Sequence, residues 1–554
     1  MFPPLILACL LLAVPVLVVL GSWLGLDAAS WSVLAHQFST VLPDYALQSM
    51  LLVIFVGAGV AVVGGATAAL VTLFDFPLRR WFEWALLLPL AMPAYVLAYA
   101  ATDFLQFSGP LQTGLRALTG AQGALWPDVR SLGGAAVLFV LCLYPYVYLL
   151  TRAALGERAV PLMEAARLLG AGPARRVREV ALPLARPALA AGVALALMET
   201  LADYGVGSYF GLQTFTTGIY KAWLVMDDRA AAAQLASMLL LVVGMLLWLE
   251  QRAQRRLRFA GTRAGSAQGA EAAPLRLKGG PAALAVLVCA LPVLLGFILP
   301  ALVLLRLVWQ EGQSAQLGLP LARFAQWSWT SFKLASIAAL LATGMALLLG
   351  FALRLRPTGP LRWSARVVSL GYAVPGAVVA VGILLPVGWL QARFPQSGTT
   401  ALVTGTLFGL MYAYLVRFVS VALQSVESGY ARVPGSIDET ARMLGVTGWR
   451  LWRELHAPLL RRAWIAALLL VFVDVMKELP ATLVLRPFNS DTLAVVAYQL
   501  ARDERLGEAA LPSLAIVLVG LIPVLLLSRS LRPADANQGA SSAATGATPS
   551  PLSA

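Results

Sequence analysis

Charge is what this sequence has least of. Only 12% of its 554 residues are Asp, Glu, Lys or Arg, against about 25% in soluble domains, and the mean hydropathy is +0.79. A soluble fold is excluded on those grounds. Histidine is also scarce. His36 and His456 are the only two, too few and too far apart for a histidine metal site. The three cysteines, Cys9, Cys142 and Cys289, lie in apolar runs without CxxC spacing, so neither zinc nor a disulfide framework is implied. Lysine occurs only as Lys221, Lys278, Lys333 and Lys477, followed by Ala, Gly, Leu and Glu. A Walker A loop needs Lys followed by Ser or Thr to cradle phosphate. The chain therefore builds no such ATP site of its own.

Long apolar runs are present in abundance. A helix needs about 20 apolar residues to cross a hydrocarbon core of roughly 30 Å. Runs of that kind fall near 4–25, 47–74, 83–105, 133–153, 185–206 and 231–249. A second set follows near 281–309, 331–353, 367–391, 400–424, 463–485 and 511–528. The expected fold is an all-α polytopic membrane protein with about twelve transmembrane helices. Residues 4–25 lack a positive n-region and exceed a usual signal-peptide core, so they read as a retained first helix. Residues 250–280 are Arg-scattered and polar, a linker between a first half at 1–249 and a second at 281–530. The Ala/Ser/Gly/Thr/Pro tail at 531–554 has too little apolar content to order itself.

The net charge of +14 allows nucleic acid, an anionic surface or a topology bias as its cause. With both termini on one side, loops on that side and their span edges collect 28 of the 41 Lys and Arg, against 11 opposite. Arg417 and Lys477 fall inside spans. Loops rich in Lys and Arg stay in the cytoplasm. Both termini are expected there, and nucleic acid is not expected as a partner.

Two of these long loops match. Glu164-Ala165-Ala166-Arg167-Leu168-Leu169-Gly170, twelve residues and Pro183 stand against Glu439-Thr440-Ala441-Arg442-Met443-Leu444-Gly445, twelve residues and Pro458. Glu, Ala, Arg, Leu, Gly and Pro recur at an offset of 275. Such a recurrence indicates a duplication in parallel topology, two homologous six-helix halves. Each loop should be a helix with a carboxylate at its start, ended by a left-handed glycine, then a second short helix over 174–182. Pro183 should start the next span. That shape suits docking into a groove on a partner.

The loops resemble the EAA loop of ABC importer permeases: Glu-Ala-Ala, a Gly six residues after the Glu, and a later Leu-Pro, here Leu182-Pro183. The second loop departs with Thr440 for the first Ala and Ala457 for the Leu. The resemblance implies a type I permease fold in the bacterial inner membrane, with Glu164, Ala165, Ala166, Gly170, Pro183, Glu439, Ala441, Gly445 and Pro458 docking two copies of a separate ATPase. The chain would need no cofactor itself, ATP and Mg being held by that ATPase.

Charges inside the spans cost several kcal/mol and are functional candidates. Glu199 and Asp203 lie in one span, Asp474, Lys477 and Glu478 in another, and the acids again differ by 275. Spacing of i, i+4 should put each pair on one helix face, four carboxylates around a pseudo-twofold axis. Carboxylate oxygens suit hard cations; equally, the acids could hold helices together. The string from Val473 to Leu483, with Lys477-Glu478-Leu479-Pro480, resembles fused ferric-iron permeases of bacterial ABC importers. That implies a periplasmic iron-binding protein as a further partner. Thiamine, polyamine and phosphonate importers can share the EAA frame, and a proton-driven carrier with the acids as relay is the alternative of another class.

Overall fold

The computed structural model describes residues 2–25, 28–156, 160–261, 275–314 and 320–530. The tail at 531–554 and the middle of the expected linker lie outside the described residues. Helices dominate. In chain order we label α1 Pro3–Leu24, α2 Leu42–Leu73, α3 Arg79–Ala91, α4 Ala94–Thr119, α5 Leu132–Ala154, α6 Val160–Leu168, α7 Val177–Ala202 and α8 Arg229–Ala253. There follow α9 Gly280–Gln313, α10 Leu321–Leu355, α11 Gly376–Arg393, α12 Leu407–Tyr430, α13 Gly435–Met443, α14 Arg461–Met476 and α15 Leu506–Leu526. The sole sheet among the described residues is a parallel pair of two-residue strands, Phe74–Asp75 with Leu275–Arg276.

Ten of these helices are long and apolar enough to cross a membrane, and α3 with α4 make an eleventh if the bent pair is one span. The chain is thus an all-α polytopic membrane protein. Leu7, Leu17, Ile54, Val62, Leu241, Leu284 and Leu340 are exposed along the spans. Acyl chains are the solvent such side chains fit.

Several expected spans come out differently, that at 367–391 being interrupted by the turn Gly371–Ala373 and Pro375 ahead of α11. The run at 83–105 is broken, α3 and α4 meeting at 92°. Pro93 stands at the corner with φ −59° and ψ 142°, and a proline drives its predecessor, here Met92, out of helical conformation. The run at 463–485 holds only the 16-residue α14, then resumes as Pro480–Leu485. Pro480 has no N–H for the carbonyl of Met476 and its ring clashes there, so the helix ends and restarts. The linker also differs, since the helix containing α8 runs on to Gly261.

The helix bounds repeat at the offset of 275. Leu132–Ala154 corresponds to Leu407–Tyr430, and Val160–Leu168 to Gly435–Met443. In the first half α2, α5 and α7 pack together; in the second, α10, α12 and α14 do the same. The halves interlock: α1 and α8 lie on α11, while α9 and α15 lie on the broken α3–α4. Cys9, Cys142 and Cys289 are buried free thiols within this packing.

Candidate functional site: a charged cavity and two matched loops

The span carboxylates do not sit on uninterrupted helix faces as the i, i+4 spacing suggested. α7 ends at Ala202, and Asp203 is extended at φ −72° and ψ 132°. Its Oδ1 accepts the N–H of Val206 at 2.8 Å, so the side chain caps the short helix Gly205–Tyr209. Glu478 does the corresponding work after α14. Its oxygens accept the N–H groups of Ala481 and Thr482, both at 2.9 Å, at the start of Pro480–Leu485. Both breaks are therefore stabilised by a carboxylate at a helix N-terminus, where orphan donors and the dipole favour negative charge. α11 comes close to the second break at Gly376, where a Cβ would lie 2.9 Å from Glu478 Oε1. Only glycine fits that approach.

Breaking the helices brings the acids together. Glu199, Asp203, Asp474, Lys477 and Glu478 all line one cavity of about 130 Å³ between the halves, with Arg417, Tyr146 and Tyr372. The volume holds several waters. The second-half acids are neutralised: Lys477 Nζ is 2.9 Å from Asp474, and Arg417 is 2.9 Å from Glu478. Among the described residues no Lys or Arg pairs with Glu199 or Asp203. Tyr146 and Tyr372 line the cavity beside them. With all six groups ionised the cavity carries two more negative than positive charges, the excess on the first-half side. The described residues contain no cluster of three or more His, Cys, Asp or Glu placed to hold a metal ion. The acids make an electronegative chamber and no preformed chelate.

Arg417 is the member that sequence reasoning passed over. The signal was available: residue 417 is a charge inside a span, and its counterpart at the same offset is Cys142, which hydrogen-bonds the carbonyl of Met92 at 2.9 Å.

The matched loops share their geometry. Gly170 has φ +84° and Gly445 φ +76°. Behind them, Ala171 N–H donates to Ala166 O at 2.9 Å and Val446 N–H to Ala441 O at 3.0 Å. This is the Schellman end expected of the glycine. Two expectations need correction. Glu164 and Glu439 lie in the middle of α6 and α13 and not at their start, each helix beginning four residues earlier. Pro183 does not start the span, because helix continues from Pro173 through a π turn at Val177–Ala181 into α7. The wider turn absorbs the missing proline N–H. The second loop has its π turn at Trp452–His456, ahead of Pro458. Arg175–Glu179 and Arg450–Glu454 also repeat, each at 2.8 Å.

Glu439 is solvent-exposed, and Glu164 is ion-paired to Arg167. Beside them the structure shows what the motif did not: Leu168 and Leu169 are 80% and 89% exposed, Met443 and Leu444 88% and 77%. Matched apolar tips, bare in both halves, are surfaces suited to a protein groove.

Residues 61–259 match the family of binding-protein-dependent transport system inner membrane components. An Fe(3+)-transport system permease protein of Haemophilus influenzae is 25% identical over 488 residues, 87% of this chain and 89% of the relative. A probable ABC transporter permease protein of Sinorhizobium fredii is 23% identical over 501 residues, 85% of this chain and 84% of that one. A putative 2-aminoethylphosphonate transport system permease protein of Salmonella paratyphi A is 28% identical over 168 residues, 30% of this chain and 60% of its own length.

Proposed function

We propose that the chain is an ABC importer permease, an inner membrane component of a binding-protein-dependent transport system like the family its residues 61–259 match, and that it carries ferric iron from the periplasm to the cytoplasm. The likeness to a ferric-iron permease across both halves carries this reading. The cavity supports it: carboxylates from both halves meet in one chamber, and their oxygens suit a hard, highly charged cation in transit. Lacking a tight chelate, the chamber passes the ion on and leaves capture to a periplasmic iron-binding protein.

ATP hydrolysis belongs, on this reading, to two copies of a separate ATPase that hold ATP and Mg, and the permease is not itself an enzyme. The ATPases dock on α6 and α13, the helices of Glu164, Ala165, Ala166 and Gly170 and of Glu439, Ala441 and Gly445. Pro183 and Pro458 lie where each loop feeds into its span. Both termini then face the cytoplasm.

A second cargo has an observation of its own. Arg417 and Lys477 share the cavity with Glu199 and Asp203, and such a bipolar lining also suits a zwitterionic aminophosphonate. Reconstitution in vesicles with the ATPase and the binding protein separates the two. Iron-loaded binding protein should stimulate ATP hydrolysis and radioiron uptake. Stimulation by 2-aminoethylphosphonate and not by iron would reassign the cargo. Uptake that proceeds without the ATPase would instead favour a carrier driven by protons.

A further inference from the structure

The two docking helices are anchored to the spans by different chemistry. Beneath α6, Leu155, Met163 and Ala181 join Leu73 and Ala185 in a small buried apolar cluster. At the same offset of 275 the second half has Tyr430, Asp438 and His456. His456 is 1% exposed. Its Nε2 lies 2.9 Å from Asp438 Oδ1, and the Tyr430 hydroxyl is 3.2 Å from Nδ1. One neutral tautomer satisfies both contacts, Nε2–H donating to the carboxylate and Nδ1 accepting from the tyrosine. Arg354 Nε donates to Asp438 Oδ2 at 2.6 Å, and its NH2 group donates to Val433 O at 2.9 Å. Phe351 and Tyr430 flank the imidazole edge-on at 5.5 and 5.4 Å.

One carboxylate thus ties α13 to the end of α10 through Arg354, and to the helix leading into α14 through His456. α12 joins through Tyr430. Burial alone would raise the Asp438 pKa, but hydrogen bonds from His456 and Arg354, with the charge of Arg354, hold it below its usual 3.8. The first half has no arginine in that place: α2 ends at Leu73, and Arg79, at the start of α3, donates to Val71 O at 2.7 Å and lies 3.7 Å from Glu83.

Apolar contact is non-directional and tolerates sliding, whereas a buried charged network holds one geometry. We propose that Asp438 and His456 are positioning residues that fix the second docking helix to the cytoplasmic ends of α10 and α12. The first docking helix rides on an apolar bearing, so the two loops pass the ATPase stroke to the spans unequally. The inference rests on the docking reading above and deepens it.

The test uses the whole permease, reconstituted with its ATPase and binding protein, and measures two quantities. ATPase co-purification reports docking; cargo moved per ATP hydrolysed reports transmission. Tyr430→Leu, Asp438→Met and His456→Ala together give the second half the residues of the first. This variant should retain the ATPase and hydrolyse ATP, with cargo per ATP reduced about tenfold, within the usual range of coupling energies. An unchanged ratio would overturn the proposal. Should the triple variant misfold, His456→Gln, which keeps a donor toward Asp438, is compared with His456→Ala. The amide should restore most of the ratio, and equal ratios in the two would count against the clamp. Failure of the unaltered permease to retain its ATPase would remove the docking reading, and this inference with it.

Discussion

Glu478 shows how much one side chain can be asked to do. Its side chain is 1% exposed, accepts two backbone N–H groups and receives Arg417 at 2.9 Å. Lys477 next to it remains 34% exposed in its pairing with Asp474. Removing one partner of a buried ion pair strands the other and costs about 3–5 kcal/mol, whereas the Lys477–Asp474 pair borders the cavity, where water can solvate the carboxylate left behind. Arg417→Met should therefore lower the melting temperature in detergent far more than Lys477→Met, and equal shifts would mean that Glu478 finds other compensation. Asp203 and Glu478 also test the path. Asp203→Asn keeps an oxygen for the Val206 N–H and should preserve that helix break while lowering iron uptake, whereas Glu478→Gln, with one oxygen for two N–H groups and Arg417, should lower uptake and stability together. ATPase binding should be intact. Unchanged uptake would show that these acids serve the fold alone.

At the scale of elements, the two matched loop helices were legible because their signals are local. Gly170 and Gly445 mark helix ends through a left-handed backbone that no other residue adopts as readily, and the structure has both at positive φ. The helix breaks at Asp203 and Glu478 were not legible from spacing, since i, i+4 periodicity assumes the helix that tertiary packing interrupts. Pro480 was the readable half of that signal. Pro183 misled in the opposite sense, because a π turn lets helix pass through it. For docking, Glu164→Arg with Glu439→Arg should abolish association with the ATPase. The reversal sets like charges at Arg167 and Glu164→Arg, a loss of only about 0.2–0.5 kcal/mol for such a pair, so α6 should still form. Circular dichroism should be unchanged while co-purification is lost. Retained co-purification would move the docking surface elsewhere, with the exposed Leu169 and Leu444 tips the next to change.

At the scale of the molecule, a duplicated sequence invites the view that each half is a self-sufficient unit, and the packing argues otherwise. α1 and α8 cover α11, and α9 and α15 cover α3 and α4. Asp103 on α4 is 3.0 Å from Arg306 on α9, and the Tyr95 hydroxyl of the first half lies 3.4 Å from the carbonyl of Lys477 in the second. The cavity itself has walls from both halves, which a 275-residue repeat could suggest but not locate, because the repeat says nothing about which helices cross over. Neither half alone would satisfy the charges at that seam. Expressed separately, residues 1–261 and 275–554 should each be degraded or aggregate. Expressed together as two chains they should reassemble into a complex that purifies as one, since the contacts across the seam are side-chain packing and not the covalent linker. Stable, monodisperse single halves would show that the seam is only an interface. Failure of the paired halves to associate would place the organising information in the covalent connection at 262–274, since the pairing of Leu275–Arg276 with Phe74–Asp75 remains open to the separate chains.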